Sequence, residues 1–102
     1  MSAYLEPAEG GGRFRVSGEL VFATVPALDL QSRQLFTGAS PLHIDLGGVT
    51  HADSAGVALL IEWAARAREA GRQVEFRGVP AQMCELVRVS GLAEVLPLAA
   101  SE

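Results

Sequence analysis

Residues Pro41 to Ala58 read P-L-H-I-D-L-G-G-V-T-H-A-D-S-A-G-V-A, and this stretch decides the fold. Leu42, Ile44 and Leu46 alternate with His43 and Asp45, and a second apolar pair follows at Val49 and Ala52. Short bounded runs of this kind read as core strands. Asp53-Ser54 then precedes Val57, Leu60, Ile61 and Ala64, which recur at helical spacing from a point where a side-chain oxygen can cap free N–H groups. The order is strand, loop, capped helix, with the Ser54 hydroxyl at the helix start.

Outward from this segment, Ala3 to Glu6 predicts a short strand, residues 7–12 a turn, and Phe14 to Leu20 a second strand with Phe14, Val16 and Leu20 on one side. Thr24 as a cap and Pro26 in a first turn predict a helix over about 25–36, with Leu28, Gln31 and Leu35 on one face and Gly38 beyond its end. After the Ser54 helix, Gly71 gives a stop, Val74 to Arg77 a strand, and Pro80 opens a third helix through Met83, Leu86, Val87 and Ser90. Leu96 to Ala99 is expected to form a last strand or a short helix. Strands alternating with helices predict an α/β fold, a small mixed sheet with helices packed mainly on one face.

The motif D-S-A-G-V-A-L-L, with I-D-L before it and V-E-F-R-G-V-P after its helix, resembles the STAS domain family, shared by anti-sigma-factor antagonists and sulfate-transporter tails. The resemblance spans roughly Phe14 to Leu98, and Ser54 occupies the hydroxyl position of the family motif D-[ST]-[SAG]-G. Within the family, A-R-E-A-G-R-Q-V-E-F-R-G-V-P and S-G-L-A-E-V-L-P-L look most like the small cytosolic STAS subunit of Mla-type phospholipid-transport ABC complexes (MlaB-like). The resemblance implies a STAS fold, no catalysis and no cofactor. The implied partner is an ABC-transporter ATPase subunit that the domain binds and regulates, or alternatively an anti-sigma-factor kinase that phosphorylates Ser54.

Composition narrows the classes. A chain of 102 residues is expected to form a single domain over 1–102, with 49% apolar residues to build a core. The net charge is −4, and the eight basic residues, all Arg, are scattered from Arg13 to Arg88. A nucleic-acid surface requires a clustered basic face, so none is expected. The N-terminus lacks the pattern of a signal peptide, and Glu62, Arg66 and Arg68 interrupt the 55–70 helix, so direct membrane insertion is not expected. The lone Cys84 has no internal disulfide partner, which agrees with a cytoplasmic setting, reached at the inner membrane only through a partner.

Read from its surroundings alone, Ser54 is a helix N-cap worth about 1 kcal/mol. Its functional reading is a docking or phosphorylation point. A phosphate there meets the positive helix end and adds about two negative charges to any packing surface. Val57, Leu60, Ile61, Ala64 and Ala67 form the expected core stripe of the helix. Leu59 and Trp63 fall off that stripe and are expected to be partly exposed. The expected partner-binding surface is therefore Asp53, Ser54, Ala55 and Gly56 with Leu59 and Trp63, Trp being a frequent interface anchor.

Other constellations carry less. His43, Asp45, His51 and Asp53 make two H-x-D pairs, but nothing in the spacing holds His51 near His43, so no metal site is assigned. His51, Asp53 and Ser54 stand too close in sequence to line up as base, orienter and nucleophile, and no G-x-S-x-G elbow occurs. Gly10-Gly11-Gly12 lacks the rest of a phosphate loop. Met83 and Cys84 read as packing residues. A small-ligand or nucleotide sensor is a further alternative; it calls for convergent polar groups in a pocket, and this chain has few polar residues in positions to make one.

Overall fold

The structure, a computed structural model, describes residues 2–91. The element expected at Leu96 to Ala99 lies outside the described residues. Seven elements follow in order: β1 (Ala3–Pro7), β2 (Arg13–Leu20), α1 (Val25–Leu35), β3 (Leu42–Ala52), α2 (Ser54–Glu69), β4 (Val74–Arg77) and α3 (Ala81–Val89). They form one four-stranded sheet in the order β1-β2-β3-β4. The β1–β2 pair is an antiparallel hairpin, whereas β2–β3 and β3–β4 are parallel. This is the α/β mixed sheet predicted from the strand and helix alternation.

Alternation along the strands separates the two sheet faces. Leu5, Val16, Ile44, Leu46 and Phe76 are buried in a single hydrophobic core with residues of all three helices. On the opposite face, Glu6, Arg15, Asp45 and Arg77 stand in register across the four strands, a row of alternating charge. Opposite charges on neighbouring strands favour this register, and like charges would oppose it. No described helix covers that row.

The two apolar runs of the decisive segment belong to one strand. Arg15 pairs with Asp45 but Ser17 with Gly48, and Gly18 pairs with Val49 but Glu19 with His51. Each shift adds a residue to β3, as a β-bulge does, so the inward residues after Leu46 are spaced by three, at Val49 and Ala52. The bulged end of β3 brings Asp53 beside the end of β2, where its N–H donates to the Leu20 carbonyl at 3.3 Å.

In α2 the buried set is Gly56, Val57, Leu59, Leu60, Trp63, Ala64 and Ala67, while Ile61 is half-buried. The expected exposure of Leu59 and Trp63 is thus corrected: they are 3% and 1% exposed. The inward stripe runs 56, 57, 59, 60, 63, 64, 67, widened from the expected one onto the flank that holds Leu59 and Trp63, because α1 packs there. The Trp63 ring meets Phe36 edge-on with centroids 5.0 Å apart, and Phe36 meets Phe14 at 4.9 Å. The Trp63 indole N–H donates to Ser32 Oγ at 3.0 Å, and that hydroxyl donates to the Asp29 carbonyl at 2.6 Å. A buried indole is expected to find such a partner. Of Met83 and Cys84, only Met83 packs inward; Cys84 is exposed.

Candidate functional site

The start of α2 is capped by Asp53, and Ser54 is the first helical residue. One Asp53 oxygen, Oδ1, accepts the Ala55 N–H at 2.8 Å, and the other, Oδ2, accepts the Phe22 N–H at 3.2 Å. A single carboxylate therefore satisfies a free N–H of α2 and fastens the β2–α1 loop to it. The expected capping role of Ser54 passes to its neighbour. Ser54 is left exposed, its hydroxyl outside the capping bonds.

Gly56 fits this junction because it has no side chain. A Cβ on it would lie 2.7 Å from the Leu20 carbonyl oxygen, closer than real contacts allow. The first turn of α2 can therefore press onto the end of β2. Thr24 holds the other side of the junction: its hydroxyl donates to the Glu19 carbonyl at 2.5 Å and accepts the Val21 N–H at 3.1 Å. Val21 is buried by this turn, and Phe22 is turned outward, 81% exposed.

Between the starts of α1 and α2 runs an apolar groove of about 290 Å³, lined by Phe22, Val25, Pro26, Ala55, Ala58 and Leu59, with Asp29 and Glu62 at its rim. Of the residues expected to bind a partner, Ala55 lines it, Asp53 is tied to the Phe22 N–H, Ser54 is exposed between them in the chain, and Gly56 is buried against Leu20. Leu59 contributes only its floor, and Trp63 lies beneath the surface with none to offer. The sequence reading missed Phe22, Pro26 and Ala58. The signal was present in V-F-A-T-V-P, an apolar run outside any strand, but periodicity does not tell which of Val21 and Phe22 faces out.

Replacing Asp53 by alanine is expected to cost about 1–2 kcal/mol, since it removes a cap and the tie to Phe22 together. A thermal melt should drop by roughly 5–15 °C. A drop below about 2 °C would show that neither bond contributes.

At the groove's rim, Arg66 bonds Asp29 and also Glu62, the latter at 3.3 Å, and Arg33 lies 3.6 Å from Asp29. Burial by itself pushes the Asp29 carboxyl up. The Arg66 hydrogen bond and the charges of Arg66 and Arg33 outweigh it and hold the carboxyl below its ordinary 3.8. A carboxyl depressed in the folded chain stabilises above its ordinary pKa, and that stabilisation is lost as pH falls through it toward the folded value. Below about pH 4 the wild-type melting temperature should therefore fall more steeply than that of Asp29→Asn. Parallel curves for the two proteins would remove Asp29 from the acid response.

His43 Nδ1 lies 3.5 Å from Glu75, while His51 stands toward the other end of β3, in register with Glu19. Among the described residues, no group of three or more His, Cys, Asp or Glu is placed to hold a metal ion. The Asp53 carboxylate is occupied by two backbone N–H groups rather than by an imidazole. The arrangement presents a hydroxyl and an apolar surface for contact.

The family model described as "Mlab, STAS domain" matches residues 6–98. No curated protein sequence matches the chain. Among solved structures, the anti-sigma factor antagonist SpoIIAA in its unphosphorylated form is similar, with TM-score 0.67 and 11% identity over 99% of this chain and 90% of that one. The murine Solute Carrier 26 family member A9 anion transporter, in its inward-facing state, gives TM-score 0.65 and 17% identity over 89% of this chain. The match spans only 16% of the transporter's own chain. At these identities the structural likeness is one of fold, and it agrees with the mixed sheet and its helices. With the family model covering nearly the whole sequence, the chain belongs to the MlaB-type STAS domain family.

Proposed function

We propose that this chain is a non-catalytic cytoplasmic subunit that binds and regulates the ATPase of a phospholipid-transport ABC complex, at the inner face of the membrane. The observation that carries it is Phe22, 81% exposed, which lines an apolar groove with Ala55 and is tied by its N–H to Asp53, the two neighbours of the exposed Ser54 in the chain. A large aromatic side chain held in water by a fixed turn is a natural anchor for a protein partner. Membership of the MlaB-type family supports an ABC ATPase as that partner. Contact with this surface would alter how stably the ATPase folds or dimerises, while the ATPase does the chemistry.

A second reading is favoured by one specific observation, the exposed Ser54 at the first position of α2. A phosphate there is tolerated by the helix end and would place about two negative charges beside Phe22. In this reading the domain is an anti-sigma-factor antagonist switched by a partner kinase.

Affinity purification of the tagged chain from its host, with mass spectrometry of the partners and of the Ser54 peptide, separates the readings. Recovery of an ABC ATPase and permease with unmodified Ser54 is expected. Recovery of an anti-sigma kinase with phosphate on Ser54 would overturn the transport reading. Because Asp53 performs the capping, Ser54→Ala should change stability by less than about 0.5 kcal/mol, whereas Ser54→Glu should weaken partner capture. A Ser54→Ala protein that melts well below wild type would mean that the hydroxyl is structural.

A further inference from the structure

A second cleft, of about 280 Å³, lies between the C-terminal halves of α1 and α2 and is lined by three arginines, Arg33, Arg66 and Arg72. No carboxylate lines it, in a chain whose net charge is −4. Half-buried Phe36 supplies an aromatic wall, with the buried Trp63 behind it. Along α2 the cleft at Arg66 is about 18 Å from Ser54, at 1.5 Å per residue.

Arg72 is the unusual member. It is 8% exposed, and among the described residues no carboxylate lies within 4.0 Å of it. Its Nε donates to the Ser40 carbonyl at 2.8 Å and its Nη1 to the Phe36 carbonyl at 3.1 Å. Those bonds close the end of α1, where a positive charge is favoured. They use two of the five N–H donors of a guanidinium, and they leave a buried positive charge with no ion to balance it. Arg33 and Arg66 share Asp29, and Arg66 also holds Glu62. Both of those carboxylates face the Phe22 groove instead. The cleft thus gathers three guanidinium groups beside Phe36: Arg33 and Arg66 are paired with Asp29, which lies 3.5 Å from the Ser32 hydroxyl, and Arg72 has no carboxylate partner among the described residues.

We propose that this cleft binds a small soluble organic anion, a carboxylate or phosphate carried on a flat apolar body. Guanidinium forks suit both anions and form strong charge-assisted bonds with them. The volume corresponds to roughly nine waters' share of liquid, which is room for a single substituted ring and too little for a diacyl lipid. Docking at the Phe22 groove and binding here are separate properties, and either can fail alone.

The test is a titration of the full ¹⁵N-labelled chain with phenyl phosphate, followed at the Trp63 indole N–H and the Arg72 Nε–H. Inorganic phosphate, phenol and anionic phosphatidylglycerol vesicles serve as the other arms. Saturable shifts at both groups are expected, with a Kd of about 1 mM or tighter and weaker responses to phosphate or phenol alone. Arg33→Gln, whose side chain is 57% exposed and so dispensable for folding, should weaken phenyl phosphate by about tenfold. Unmoved Trp63 and Arg72 signals would overturn the proposal. So would shifts that appear equally at Arg13, Arg15 and Arg77, undiminished affinity in Arg33→Gln, or a response to vesicles but not to phenyl phosphate.

Discussion

Trp63→Ala is expected to destabilise the domain by about 3–5 kcal/mol, the usual cost of truncating a large aromatic side chain in a packed core. Trp63 is 1% exposed and edge-on to Phe36, so its removal leaves a cavity between α1 and α2 that neighbouring rings can only partly fill. The change also takes away the donor to Ser32 Oγ, a bond worth about 1 kcal/mol. For a domain of this size the melting temperature should fall by roughly 15–30 °C. Circular dichroism is the measurement of choice, because the substitution removes the chain's only tryptophan. Trp63→Phe should lose less, since it keeps a ring but not the N–H. A shift of under about 3 °C for Trp63→Ala would contradict the buried placement and restore Trp63 as a surface anchor.

The second large effect concerns binding. Phe22→Ala should weaken capture of the partner by about 30-fold or more, equivalent to the 2 kcal/mol that marks an interface anchor. Stability should hardly move, because Phe22 is 81% exposed and its backbone N–H, which bonds Asp53, is unaffected by the change. The pairing of a large binding loss with an unchanged melt is what separates a docking residue from a core residue. It is the opposite of the pattern expected for Trp63. If Phe22→Ala and wild type recover the same partner in equal amount, the docking surface lies elsewhere. The open sheet face with its Glu6, Arg15, Asp45 and Arg77 row would then be the next surface to substitute.

The two residues show where reading a sequence succeeds and where it stops. Both are aromatic and both belong to apolar stretches, Phe22 to V-F-A-T-V-P and Trp63 to the helix that starts at Ser54. Apolar residues occupy 57, 59, 60, 61, 63 and 64 of α2, so periodicity alone allows more than one inward stripe. The rotation is decided by contacts far apart in sequence: Gly56 against the Leu20 carbonyl, and Trp63 against Ser32 and Phe36. The same limit applies to the loop at Val21 and Phe22. There the Thr24 hydroxyl and the Asp53 carboxylate, 29 positions apart, fix which side chain turns inward.

By itself the sequence determined the order of elements, because strand alternation, glycine stops and prolines in first helical turns are local signals. Val74–Arg77 appears as predicted, the helices begin and end within a residue or two of their expected bounds, and the D-S-A-G motif sits at the start of α2. Tertiary structure alone decided which oxygen caps α2, which residues flank the exposed hydroxyl, and that Trp63 belongs to the core while Phe22 does not. It also brought Arg33, Arg66 and Arg72 to one cleft. The burial of Trp63 and the gathering of the arginines depend on the packing of α1 against α2, a relation between segments some thirty residues apart that local pattern cannot encode, because burial is settled by the neighbour and not by the residue.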